Sequence, residues 1–148
     1  MYSAQYIQSS IKSLATKIQS ASDISEIIPS LMDDIKELIN CETLTLFSLD
    51  RAKRQLISRN FISENVPELQ IDISAKTTAG YVAMMGKSIL INDAYSKQEL
   101  STYHADIGFG SCRDSIINFK TNSLIVVPLP YNKKLVGVME FINKKNQG

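Results

Sequence analysis

The chain has 148 residues, 44% hydrophobic and 21% charged, a balance typical of one globular domain with its own core. Its 16 Lys and Arg against 15 Asp and Glu give a formal net charge of +1, which leaves no positive surplus for binding nucleic acid. No apolar run reaches the roughly 20 residues that a membrane helix requires, so we expect no membrane partner. Two distant cysteines, Cys41 and Cys112, favour a reduced cytoplasmic setting.

The first forty residues show two helical patterns. Residues 4–21 carry the a/d spacing of a two-helix seam, at Ile7, Ile11, Leu14, Ile18 and Ala21. This spacing predicts a homodimer built on residues 4–21, and the alternative is that the stripe packs on the domain's own sheet. After a break at Ser22-Asp23, residues 27–39 form a second amphipathic pattern, in which Pro29 is expected in the first helical turn.

From Cys41 onward, β-branched, aromatic and alternating residues predict strands. The predicted strands cover residues 43–49, 55–62, 69–73, 88–91, 123–129 and 135–142. Residues 75–86 predict a short helix that ends at Gly86, and the polar stretch 93–122 is unusually long unless it folds locally or has a function. Because most strands follow one another through short turns, we expect a mainly antiparallel sheet flanked by helices, an α+β architecture.

Four segments in this order resemble the GAF domain family. The resemblance lies in residues 41–50 (CETLTLFSLD), 77–86 with 91–95 (TTAGYVA, a glycine, then INDAY), 123–129 and 136–144 (VGVMEFINK). It implies a six-stranded antiparallel sheet with helices packed on one face and a ligand pocket on the other. It also implies an N-terminal linking or dimerisation helix over residues 1–22 and a GAF domain over residues 23–148. The helix that usually closes such a domain is missing after the last strand, so apolar surface should be exposed or covered by a partner chain.

GAF domains serve several functions, and the fold alone does not choose among them. Some bind cGMP or cAMP, others hold different small molecules, haem or a bilin, and others only dimerise. By resemblance, the candidate ligand-binding residues are Thr45, Phe61, Thr78, Ala79, Gly80, Tyr95, Thr121 and Glu140. Phe61 matches an aromatic residue that stacks on the base, and Thr45, Thr121 and Glu140 match pocket walls. The backbone N–H groups at the start of the third helix could hold a phosphate.

Each of these residues also has a structural interpretation. Ala79 and Gly80 could be small because the helix packs closely on the sheet. Thr45 could be a strand residue and Phe61 a core residue. Glu140 must either face solvent or find a buried partner, and the alternation along its strand does not decide which.

The sequence also departs from the pattern of cyclic-nucleotide-binding relatives. Ile62 stands where those relatives carry a guanine-contacting carboxylate, and Ile117 stands at a second polar position. Residues 96–118, where the family forms its pocket lid, are longer than the pattern and are expected to be the most mobile part of the chain. Asn143-Lys144 begins a family motif that does not continue here. These departures weigh more against cGMP than against cAMP or another small ligand.

Other candidate chemistry is sparse. His104 is the only histidine and lies in the polar stretch, and no cysteine or histidine cluster is present to bind a metal. Arg113 follows Cys112 where bilin-binding relatives carry a histidine, which argues against bilin attachment. The leading hypothesis is a regulatory, non-catalytic sensor of small molecules in a larger protein such as a phosphodiesterase, cyclase or kinase. The alternatives are a ligand-free module for dimerisation and signal transmission, and a small redox enzyme of the methionine sulfoxide reductase type.

Overall fold

The computed structural model describes residues 3–20, 24–59, 68–108 and 120–145, which fold into an α+β domain. Its helices are α1 (Ala4–Ser20), α2 (Ile24–Ile39), α3 (Thr78–Met85) and α4 (Lys97–Ser101). Its strands are β1 (Cys41–Asp50), β2 (Gln55–Arg59), β3 (Gln70–Asp72), β4 (Ile89–Ile91), β5 (Leu124–Tyr131) and β6 (Lys134–Lys144). The strands form one antiparallel sheet in the order β3-β2-β1-β6-β5-β4, which confirms the predicted architecture.

The two long central strands, β1 and β6, bury side chains on both faces of the sheet. On one face Leu44 packs with Met32 of α2 and with Phe141. On the other face Phe47 and Val138 join α3 and α4 in the larger core cluster. Because successive side chains of a strand point to opposite faces, these strands divide the interior into a layer under α2 and a layer under α3.

The helical predictions are confirmed with one correction. Helix α1 spans the predicted region and packs on α2, where Lys17 Nζ lies 2.6 Å from Asp34 Oδ2. Helix α2 begins at Ile24, so Pro29 lies inside the helix and not in its first turn as expected. The prediction was wrong because the helix starts three residues before its first periodic apolar residue. Proline at this position has no N–H to give to the carbonyl one turn earlier.

Local signals explain how the short elements begin and end. Helix α3 is capped by Thr77 at its start and ends at Gly86, whose φ of 69° places it in the left-handed region that glycine adopts without strain. The β5–β6 hairpin turns through Asn132 and Lys133, both with positive φ. The first part of the polar stretch after β4 folds locally, because it contains α4 with Ser96 as its N-cap.

One end of the sheet carries exposed apolar side chains on the face shared with α2. Leu90 of β4 is 56% exposed, and its partner across the strands, Ile125 of β5, is also exposed. Ile125 in turn pairs with Phe141 of β6, so an apolar row crosses three strands. Together with Ile39 and other residues, this row lines an open cavity of about 570 Å³. Within the described residues, no helix is long and apolar enough to cross a membrane.

Candidate functional site

A buried polar cluster lies between the sheet and the start of α3. Thr45 of β1 and Glu140 of β6 are directly opposite each other in the strand pairing. Thr78, the first residue of α3, donates from its Oγ1 to Oε1 of Glu140 at 3.3 Å. Glu140 is only 8% exposed, and both threonines are buried. The structure therefore answers the question that strand alternation left open, because Glu140 faces the interior and has a buried hydroxyl partner.

The first turn of α3 approaches β3 very closely at Gly80. A Cβ atom added to Gly80 would lie 2.4 Å from the backbone oxygen of Asp72 and 2.8 Å from that of Ser74. The N–H of Gly80 is itself engaged, since it donates to Thr77 Oγ1 at 3.0 Å as part of the N-cap. Ala79 is also fully enclosed. Close packing is thus sufficient to explain why these two residues are small.

Of the two further candidates, Tyr95 lies at a rim on the β4–α4 side of the domain, and Thr121 is buried next to two rim residues in the sequence. Tyr95 is 47% exposed and lines an open cavity together with Asn92, Asp93, Lys120 and Asn122. Thr121 is buried between two of these lining residues. The rim residues Asn92, Lys120 and Asn122 were not selected from the sequence. Their signals there were the position of polar residues next to two predicted strands and, for Asn92, its place in the 91–95 segment of the family resemblance.

The predicted residues therefore fall into two groups. Thr45, Thr78 and Glu140 form the cluster at the start of α3, where Ala79 and Gly80 follow Thr78 in the helix. Tyr95 lies at the rim, and Thr121 is buried between two rim residues in the sequence. Several predictions concern residues outside the described ranges, and these are Phe61, Ile62, Cys112, Arg113 and Ile117. The predicted mobile segment 96–118 is described as far as residue 108, where Gly108 N donates to the carbonyl of Lys76 at 2.9 Å.

Among the described residues, the titratable groups offer little nucleophilic chemistry. Cys41 lies in the layer under α2, on the other side of the sheet from α3, and burial raises the pKa of its thiol. A raised pKa keeps the thiol protonated at neutral pH, and the protonated form is a poor nucleophile. His104 accepts from the backbone N–H of Asp106 through Nδ1 at 3.1 Å. Across the described part of the chain, no group of three or more His, Cys, Asp or Glu residues is arranged to hold a metal ion.

The fold and the buried cluster define an α+β domain with an interior polar site between a short helix and a six-stranded sheet. The sequence model of the GAF domain family matches residues 23–147. The chain belongs to the GAF domain family.

Individual relatives support this assignment. The chain is 26% identical over 130 residues to a probable 3',5'-cyclic phosphodiesterase, pde-5, of Caenorhabditis elegans. The match covers 80% of this chain but only 16% of that protein's length. Among solved structures, the GAF domain of a phosphoenolpyruvate-protein phosphotransferase from Coxiella burnetii superimposes with a TM-score of 0.76 at 12% identity, covering 96% of this chain and 80% of that one.

The same fold is also found in an enzyme. The free methionine-R-sulfoxide reductase of Neisseria meningitidis, solved with its substrate, gives a TM-score of 0.67 at 13% identity, covering 97% of this chain and 77% of that one. At such identities the likeness to solved structures shows the fold alone. Function must therefore be argued from the residues of this chain.

Proposed function

We propose that this GAF domain is a regulatory, non-catalytic domain of a larger signalling protein and that it binds a cyclic nucleotide, cAMP in preference to cGMP. The observation that carries the proposal is the buried cluster of Thr45, Thr78 and Glu140 at the start of α3. Support also comes from the match to a probable cyclic phosphodiesterase. In this proposal residues 23–148 form the sensing domain and residues 1–22 link it to a partner.

The chemistry of the cluster suits a nucleoside better than a bare anion. A carboxylate such as Glu140 accepts hydrogen bonds from ribose hydroxyl or base amino groups. The phosphate of the same ligand would lie at the first turn of α3, near the backbone N–H groups of Thr78 and Ala79, where the helix dipole favours negative charge. cAMP is preferred because Ile62 cannot supply the carboxylate that would recognise guanine.

Thermal unfolding with added nucleotide tests this proposal directly. A ligand present at 100 times its Kd stabilises the native state by about 2.7 kcal/mol. For a domain of this size, that corresponds to a rise in Tm of about 5–10 °C. We expect such a rise with cAMP, a smaller rise with cGMP and none with 5'-AMP. An unchanged Tm with both cyclic nucleotides at millimolar concentration would refute cyclic-nucleotide binding.

Two substitutions connect the expected binding to named residues. Glu140→Gln keeps the size of the side chain but weakens its acceptor character, so it should reduce the affinity for cAMP by about tenfold or more, since hydrogen bonds to charged groups contribute about 1.5–3 kcal/mol. Glu37→Gln, on the exposed side of α2, is the matched control and should leave the affinity unchanged. Phe61→Ala should weaken binding by about 1–3 kcal/mol if this ring stacks on the base.

A second function, dimerisation through α1, is favoured by one specific observation. Within the described residues, no side chain of this 17-residue helix is buried. Ile11 is 54% exposed, and Ile7 and Ile18 are exposed on the same stripe, whereas Leu14 turns towards α2. An isolated helix of this length is only marginally stable in water. We therefore propose that a second copy of α1 covers the stripe in a symmetric homodimer.

Light scattering of the purified chain tests the dimer. The wild type should have the mass of two chains, and the double variant Ile11→Glu with Ile18→Glu, which changes exposed residues of the stripe, should have the mass of one. Lys12→Glu, which changes charge beside the stripe without touching it, should remain dimeric. A wild type that is monomeric at high concentration would reject the dimer. A double variant that remains dimeric would move the interface to another surface, such as the exposed row at Leu90 and Ile125.

A redox activity is the remaining alternative. The reductase fold likeness carries no residue-level support, and the described cysteine, Cys41, is buried on the side of the sheet opposite α3. We expect no reduction of free methionine sulfoxide in the presence of a dithiol reductant. Turnover that is lost in Cys112→Ser would contradict the regulatory assignment.

A further inference from the structure

A single asparagine joins three parts of the domain at the end of β6. The side-chain oxygen of Asn143 accepts from the backbone N–H groups of Asn122 at 2.6 Å and Ser123 at 3.2 Å. Its side-chain nitrogen donates to Oε2 of Glu42 at 2.9 Å and to the carbonyl of Lys120 at 2.8 Å. Asn143 is only 4% exposed. Both lone pairs and both N–H groups of the amide are thus used, which is its full hydrogen-bonding capacity.

The bonds of Asn143 hold residues 120–123, which we call the Thr121 wall. Residues 120–123 contain Thr121, a candidate ligand residue, and they also contribute Lys120 and Asn122 to the rim cavity. The backbone strengthens the same junction, because Asn143 N donates to the carbonyl of Ser123 at 2.8 Å and Lys144 N donates to Ser123 Oγ at 3.1 Å. The position of Thr121 therefore depends on the geometry at the end of β6.

The same junction continues to the end of α2. Lys145, two residues after Asn143, donates from its backbone N–H to the carbonyl of Asn40 at 2.9 Å. Asn40 closes α2 in a left-handed conformation with φ of 61°, and its own N–H bonds to the carbonyl of Lys36. A displacement of the Thr121 wall would thus act, through Asn143, on the residue that ends α2.

We infer that Asn143 is a positioning residue that couples the Thr121 wall to the C-terminal end of α2. The statement that a ligand acts through this coupling rests on the proposed function. The coupling itself is a property of the ligand-free chain. Ligand contact at the wall would reach α2, and from there α1, through the side chain of Asn143, beside the bonds that Asn143 N and Lys144 N donate to Ser123.

Asparagine at position 143 has two separate roles, one in the backbone conformation and one in the hydrogen bonds of its side-chain amide. Asn143 has a φ of 58°, a left-handed conformation that asparagine tolerates better than most residues and glycine adopts freely. Asn143→Gly therefore keeps the backbone conformation and removes only the amide. Asn143→Asp keeps the acceptor for Asn122 and Ser123 but places a carboxylate against Glu42 and against the carbonyl of Lys120.

Amide hydrogen exchange of the ligand-free protein, followed residue by residue by NMR, tests the coupling. In Asn143→Gly, the exchange rates of Asn122, Ser123 and Lys145 should all rise at least tenfold, while that of Val138 in the core stays unchanged. Asn132→Gly is the matched control, because Asn132 is also left-handed but lies in the exposed β5–β6 turn. An Asn143→Gly variant in which Lys145 exchanges as in the wild type would overturn the inference.

Swapping the hydrogen-bond donor and acceptor between residues 143 and 42 provides an independent test. Asn143→Asp alone should increase the exchange rates of Lys145 and Asn122, because two acceptors then face each other at Glu42. Adding Glu42→Gln supplies an amide donor at that position and should restore a substantial part of the lost protection at Lys145. No restoration in the double variant would show that the bond to Glu42 has no part in the coupling.

Titration with cAMP separates this inference from the proposed function. If cAMP binds, the exchange rate of Lys145 should change in the wild type and should not change in Asn143→Gly at saturating cAMP. Binding of cAMP that leaves Lys145 unchanged in the wild type would contradict the coupling. If cAMP does not bind, the proposed ligand is wrong, and the ligand-free comparison alone decides whether the coupling exists.

Discussion

Replacing Gly80 with alanine should destabilise the domain, although alanine is normally the better helix residue. The added Cβ would meet the backbone oxygens of Asp72 at 2.4 Å and Ser74 at 2.8 Å, whereas ordinary contacts begin near 3.4 Å. Both neighbours are backbone atoms, so the start of α3 would have to move by about 1 Å. Overpacking of this kind costs about 1–3 kcal/mol. The gain in helix propensity offsets up to about 1 kcal/mol of that cost.

The two terms together give a net loss of about 0–3 kcal/mol of unfolding free energy, and the middle of this range, about 1–2 kcal/mol, is the expected value. Urea unfolding followed by circular dichroism would measure it as a fall in midpoint of about 0.5–1 M, taking a slope of about 2 kcal/mol per molar urea. The melting temperature should fall by about 2–8 °C.

The matched control for this substitution is Gly108→Ala. Among the described residues, a Cβ at Gly108 would meet the carbonyl oxygen of Lys76 at 3.7 Å, an ordinary contact, so this variant should stay within about 0.5 kcal/mol of the wild type. Equal midpoints for the two variants would refute the close-approach explanation. Gly80 would then need a different role, such as contact with a ligand.

Three further outcomes follow from named contacts. Thr78→Val should lose about 1–3 kcal/mol of unfolding free energy, because it removes the hydroxyl that donates to buried Glu140. Thr78→Ser keeps a hydroxyl and should be much closer to the wild type in the same urea experiment. Tyr103→Phe should speed amide exchange at Leu90, since the tyrosine hydroxyl accepts from Leu90 N at 3.2 Å and donates to Leu90 O at 3.0 Å; unchanged exchange would contradict this. Burial raises the pKa of Cys41, so the native state holds this proton more tightly. Urea unfolding at pH 7 and 9.5 should therefore show stability falling above about pH 8.5, less steeply in Cys41→Ala.

The sequence supports most of the fold because the long elements carry strong periodic signals. Helix α1 and strands β1 and β6 follow from spacing and alternation, and Gly86 marks the end of α3. Short elements are harder to predict. Helix α4 has only five residues, and its Ser96 cap is a weak signal within a polar stretch.

The site was less predictable because its contacts join distant parts of the chain. Thr45 and Glu140 become neighbours only through the register of β1 with β6, which alternation alone cannot fix. The resemblance matched both residues to pocket walls, but the alternation along β6 did not decide whether Glu140 faces the interior. Asn143 was noticed only as the start of a motif, since its bonds to Glu42 and Asn122 depend on the complete sheet.

The bond between Lys145 and Asn40 has a mechanical consequence. Strands β1 and β6 are antiparallel neighbours, so the start of β1 and the end of β6 lie side by side, with Cys41 opposite Lys144. A force that pulled α2 and Lys145 apart would load the strand pair at one end. The hydrogen bonds between β1 and β6 would then break one after another from that end. They would not share the load, as they would if the two strands were pulled along their length in opposite directions. The bond from Lys145 to Asn40, followed by those of Asn143, would carry the load first.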